Sequence, residues 1–111
     1  MEIPLIQKLY DLYKLIYQYI KLFPKKDRFA LGQKIENITL EIMDTTIQAG
    51  ILPKLRKIQP LETAIAKTHV LKILLRAACD IGILEYKKYE TLELSLHEIG
   101  KMLGGWKRSL L

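Results

Sequence analysis

Apolar residues recur along this chain in steps of three and four, the rhythm of helices that bury one face. The rhythm is clearest over PKKDRFALGQKIENITLEIMDTTIQAG, residues 24–50. Leu31, Ile35, Ile38, Ile42 and Ala49 fall on one seam, with Thr45 or Thr46 filling its gap. Phe29, Leu40, Met43 and Ile47 repeat the pattern two residues out of phase, with Gln33 and Glu36 in the missing places. Two residues turn a helix by about 200°, so the second stripe lies on the opposite side. One stripe can enter the core of a monomer. The other predicts an oligomer interface formed by Phe29, Leu40, Met43 and Ile47, in which Glu36 calls for a cationic partner on the next copy.

The same pattern predicts four helices, over residues 4–22, 24–49, 60–82 and 85–104. In the first, Leu5, Leu9, Leu12, Ile16 and then Tyr19 or Ile20 make a seam that ends on Phe23. The second opens at Pro24 with Asp27 in its first turn, and Gly50 followed by Pro53 is its expected stop. In the third, Val70, Leu71, Leu74, Leu75, Ala77, Ala78 and Ile81 form a broad apolar arc, and Gly82 caps the end. The fourth carries Tyr89, Leu92, Leu96, Ile99, Leu103 and Trp106 and is expected to end at Gly104-Gly105. Gly32 and Gly100 fall inside helices, where each costs about 1 kcal/mol against alanine. Close approach by a neighbouring helix is the expected reason. No stretch alternates with period two for long enough to build a sheet. The fold class is therefore all-α: a single domain over residues 1–111, an antiparallel up-down-up-down four-helix bundle that assembles into a homo-oligomer.

Charge adds a direction to this picture. The formal net charge is +6 and the isoelectric point is near 9.4, which favours a polyanionic partner: nucleic acid (RNA or DNA), an acidic protein face or anionic lipid. The connection ILPKLRKIQP, residues 51–60, concentrates Lys54, Arg56 and Lys57 with no acid among them. Lys72 and Arg76 stand four apart on the polar side of the third helix, with His69 one turn earlier and Asp80 within reach of Arg76. These five cations are the expected nucleic-acid contacts. In a closed oligomer each would recur as a ring, and binding would be weakly sequence-selective and steeply salt-dependent. A ridge of Tyr10, Lys14, Tyr17 and Lys21, with Tyr13 beside it, allows two readings. The rings border the core and keep their hydroxyls wet, or they stack on bases while the lysines meet phosphates.

Catalytic chemistry finds no such footing. His69 and His97 both fall on polar helix faces, and no Glu-x-x-His spacing occurs for a metal. Cys79 adjoins Asp80 and shares its turn with no histidine, which suits a small packing residue better than a nucleophile. No phosphate loop or nucleophile elbow is present. The sequence predicts a protein that is not an enzyme and takes no cofactor. A lone cysteine excludes an internal disulfide and fits a reducing compartment. Lys8, Asp11, Lys14 and Lys21 interrupt the apolar N-terminal stretch and argue against a membrane span. The sequon Asn37-Ile38-Thr39 lies inside a predicted helix with no export signal, so the expected location is cytoplasmic.

Two stretches carry a resemblance: IPLIQKLYDLYKLIYQYIKLFPKKDRFALGQKIENITLEI (3–42) and HEIGKMLGGWKRS (97–109). Their most specific pieces are FPKKDRFALGQKIEN (23–37) and GKMLGGW (100–106). The chain resembles the accessory variability determinant (Avd-like) four-helix-bundle proteins of diversity-generating retroelements. Those are related to the bundle proteins encoded by intervening sequences in bacterial 23S ribosomal RNA genes. The resemblance implies a non-enzymatic helper that forms a barrel-like homopentamer, binds nucleic acid and associates with the element's reverse transcriptase during mutagenic cDNA synthesis. An RNA-binding bundle of the ribosomal-insert type, or a structural oligomer whose charge serves solubility, are the alternatives. No residue-level motif for RNA or polymerase contact carries over.

Overall fold

Four apolar seams converge on one axis, and the lengths of the helices follow from how far each seam extends. The computed structural model describes residues 3–111. Helix α1 spans Ile3–Ile20 and ends in a tight turn, where Leu22 and Phe23 donate backbone hydrogen bonds to Tyr19 and Ile20, each 3.0 Å. Pro24 is extended (φ −53°, ψ 148°), and its carbonyl accepts from the Asp27 and Arg28 amides at 2.9 and 3.0 Å. Helix α2 therefore begins at Lys25, one residue after the expected opening. It runs through Lys25–Asp27, a π-helical turn at Arg28–Gly32 and a regular stretch at Gln33–Ile51. Helix α3 spans Ile58–Asp80 and α4 spans Tyr86–Ser109. Each helix packs on the next, and α4 closes back on α1, giving a bundle of 44 × 22 × 19 Å. All the regular structure among the described residues is helical.

The core is nearly all leucine and isoleucine. Helix α1 contributes Leu5, Leu9, Leu12, Ile16 and Ile20, with Phe23 behind them, as its seam predicts. Ile35, Ile38, Ile42 and Ala49 come from α2, and Leu92, Leu96, Ile99 and Leu103 from α4. Leu31 is only half-buried. Helix α3 differs from expectation. Its buried seam is Leu61, Ala64, Thr68, Leu71, Leu75 and Ala78, while Val70, Ile73 and Ile81 are exposed. The apolar arc of this helix is wider than the one stripe a bundle can bury.

Three threonines sit inside the core. Thr39 and Thr46 on α2 and Thr68 on α3 are buried, and each hydroxyl donates to the carbonyl four residues earlier, at 2.8, 2.7 and 2.8 Å. The polar atom is satisfied within its own helix and the methyl is left for packing. These small residues, with Ala49 and Ala64, lie on α2 and α3, the pair of helices with the most extensive contact. Across the closing seam, Lys8 on α1 holds Glu98 on α4 and keeps its carboxyl below the ordinary range. A lowered carboxyl pKa stabilises the fold above the unfolded value, and that contribution is lost as pH falls through the folded one.

Helix ends follow different rules from those expected. Gly82 (φ +88°) does cap α3, with Ile83 and Leu84 donating to the Ala78 carbonyl at 3.0 and 3.1 Å. Gly50 stays helical. Helix α2 stops because Leu52 precedes Pro53 and is pushed to extended geometry (φ −82°, ψ 156°). Gly104 and Gly105 do not end α4, which continues to Ser109 because Trp106 and Leu110 pack against the core.

The two mid-helix glycines also differ from each other. A Cβ at Gly32 would stand 2.9 Å from Ile20 Cγ2 and 3.1 Å from the Asp27 carbonyl, so close approach by the end of α1 requires glycine there. A Cβ at Gly100 would meet nothing within 4 Å, so the expected close approach is absent. Gly32→Ala should lower stability in urea unfolding by about 1–3 kcal/mol through overpacking. Gly100→Ala should raise it by about 1 kcal/mol through helix propensity. A neutral Gly32→Ala would remove the close contact as the reason for that glycine.

Candidate nucleic-acid interface

Antiparallel order brings the end of α2, the 52–57 connection, the start of α3 and the last turns of α4 to one end of the bundle. Pro53 turns the chain outward, and Lys54–Arg56 forms a single 3-10 turn on the surface. Lys54 and Arg56 are exposed there, and neither lies in salt-bridge range of a carboxylate among the described residues. Lys57 does something else. Its ammonium donates to the Ala49 and Gly50 carbonyls at 2.8 and 3.3 Å, capping α2, and lies 5.8 Å from the centre of the Trp106 ring. One of the three expected linker contacts is thus engaged in holding the corner together. Lys107 reinforces the same corner with a 3.0 Å ion pair to Glu62.

The other expected pair is split. Arg76 is exposed, with Nε 3.9 Å from Asp80 Oδ2, at the outer limit of an ion pair. Lys72 is half-buried in an open cleft of about 370 Å³ between α3 and α4. His69 stands beside it, and α4 supplies His97, Lys101 and Arg108. The sequence pattern puts His97 on a polar face, singles out no role for Lys101, and leaves Arg108 beyond the expected end of the helix. Carrying α4 through its glycines to Ser109 puts Arg108 four residues after Gly104, and so onto the same face as Gly100 and His97. That spacing is the signal in the sequence that marks this group.

On α1 the aromatic ridge is real as a surface. Lys14 lies over Tyr10 and Lys21 over Tyr17, each 4.7 Å from the ring centre, and both rings are about half exposed. Tyr13 turns inward and donates to Glu36 at 3.2 Å. Burial, then the Glu36 carboxylate, holds its hydroxyl above the ordinary tyrosine range. Glu36 thus has one neutral donor within its own chain. Beside it, the π-helical turn opens a groove lined by Tyr17, Lys21, Arg28 and Phe29, in which Arg28 Nε is buried without a hydrogen-bond partner among the described residues.

The outer stripe of α2 is present in three of its four members. Phe29 is 69% exposed, Leu40 43% and Ile47 40%. Met43 instead reaches back and packs against the core, which its flexible unbranched side chain allows. Among the described residues no group of three His, Cys, Asp or Glu could hold a metal ion, and no helix is long and apolar enough to cross a membrane.

The split between capping and free cations is measurable. Lys57→Met keeps the apolar stem but removes the ammonium from the α2 carbonyls, and should cost about 1 kcal/mol in thermal or urea unfolding. Lys54→Met should change stability by less than about 0.5 kcal/mol. Equal effects at the two positions would mean that the Lys57 cap carries no weight.

The sequence profile of the bAvd-like family matches residues 4–110, which takes in all four helices, the basic connection and the α3–α4 cleft. No curated protein matches the chain. With the profile covering nearly every described residue, and the all-helical bundle to go with it, the chain belongs to the bAvd-like family.

Proposed function

We propose that this chain is a non-enzymatic accessory protein of a diversity-generating retroelement. It acts as a basic homo-oligomer that binds nucleic acid and the element's reverse transcriptase and so supports mutagenic cDNA synthesis. The family match over residues 4–110 carries this proposal. Two surface features support it. Phe29, Leu40 and Ile47 leave large apolar side chains in water along one helix, which suits coverage by another copy. A head-to-tail interface of that kind closes into a ring when its rotation permits, and five copies is the number the likeness to the family implies. The second feature is the excess of cations, with Lys54 and Arg56 exposed at one end of each copy. Arranged in a ring, they would hold a long polyanion that one copy holds poorly.

Light scattering at micromolar concentration should give the mass of several chains. Leu40→Glu combined with Ile47→Glu should give a monomer with unchanged helical circular dichroism, because both side chains lie outside the core. A monomeric parent would overturn the oligomer. The retroelement's reverse transcriptase should co-purify with the parent protein, and its cDNA yield on template-repeat RNA should depend on it. If neither occurs while RNA is still bound, the chain is an RNA-binding bundle of the ribosomal-insert type instead.

A further inference from the structure

Resting on the proposal that the chain binds nucleic acid, we infer that the cleft between α3 and α4 is the groove that receives the phosphate backbone. Lys72, Lys101 and Arg108 supply its charge, and His69 and His97 supply further donors on its two walls. Three observations converge on this assignment.

The first is electrostatic. The residues lining the cleft include no carboxylate. Among the acids of these two helices, Glu62 is held by Lys107 and Glu98 by Lys8. Lys72, Lys101 and Arg108 have no carboxylate in salt-bridge range among the described residues. Three like charges gathered in one concavity repel one another, and low-dielectric walls focus their field outward. An anion relieves that repulsion.

The second is the floor. Gly100 and Gly104 stand four apart on α4 and line the cleft, and nothing in the fold requires the first of them to be glycine. The missing side chains leave the helix surface open to close approach by a ligand. They also let the Arg108 guanidinium lie back over the helix, 3.4 Å from where a Gly104 Cβ would be.

The third is position and selectivity. Arg108 lies at the end of the bundle that carries the exposed Lys54 and Arg56, although Arg56 lines the α2–α3 side of that end. No Phe, Tyr or Trp lines the cleft, and its two imidazoles and the Arg108 guanidinium would stack on any base alike. Phosphates position and bases specify. A groove of this kind holds backbone with little regard to sequence.

The test uses the full-length assembled protein, titrated with a structured RNA at roughly 50 and 200 mM salt. Replacing Lys72, Lys101 and Arg108 together with Gln should weaken binding at least about tenfold at the lower salt, and flatten the salt dependence by about two to three contacts. Gly100→Leu blocks the floor without removing a charge, and should weaken binding while leaving helical content and melting temperature no lower than the parent's. Lys101→Gln alone, at an exposed position, serves if the triple variant loses its fold, and should flatten the salt slope by about one contact. Lys54→Gln with Arg56→Gln is the comparison and should cost less affinity than the triple change. If the cleft variants bind RNA as the parent does, with the same salt slope, the cleft is not the groove, although the chain still binds nucleic acid. Variants that lose only the reverse transcriptase would overturn the assignment too, since the cleft would then be a protein-docking surface. A parent that binds neither RNA nor single-stranded DNA overturns both this inference and the proposal beneath it.

Discussion

A four-helix bundle has one interior, and each helix can turn only one stripe toward it. Nearly everything else about this molecule follows from that constraint. Leucine and isoleucine fill the interior from four sides, joined on α2 and α3 by threonine and alanine. Apolar residues that fall off the stripes are stranded outside, which is why Phe29, Leu40, Ile47 and Ile73 face water. Charges are excluded from the interior by the same rule. Three of the six ion pairs among the described residues run across helix seams, Lys67 with Glu41, Lys8 with Glu98 and Lys107 with Glu62. Such exposed pairs contribute little stability each. They also occupy carboxylates, while Lys54, Arg56, Lys72, Lys101 and Arg108 are in salt-bridge range of none among the described residues.

The fold was legible because helical periodicity is set by the burial that stabilises the helix. The seams of α1 and α4 were readable residue by residue. Helix ends were less so, because glycine stops a helix only where the backbone adopts a positive φ. Gly82 does so. Gly50, Gly104 and Gly105 do not, since packing by Trp106 and Leu110 carries α4 past its glycines and Pro53, acting through Leu52, ends α2.

The candidate site was legible only in part, and for a related reason. Charge density along the sequence pointed to Lys54, Arg56 and Lys72, but it could not distinguish a cation at work inside the fold from one facing solvent. Lys57 looks identical to Lys54 until the carbonyls of α2 are placed beside it. Lys101 and Arg108 acquire meaning only once α4 is extended and set against α3, because the cleft belongs to a pair of helices and to neither alone. Met43 shows the same limit on the apolar side. A position about 100° off the buried seam can go either way, and side-chain flexibility decides it.

The corner where Lys57 meets Trp106 has a practical consequence. Trp106 is the only tryptophan in the chain. It sits half-buried where the basic connection meets the last turns of α4, with a capping ammonium 5.8 Å from its ring. The intrinsic emission of this protein, excited at the red edge of the indole band where tyrosine is silent, therefore reports on that single corner. An optical probe of the junction is built into the native sequence and needs no label.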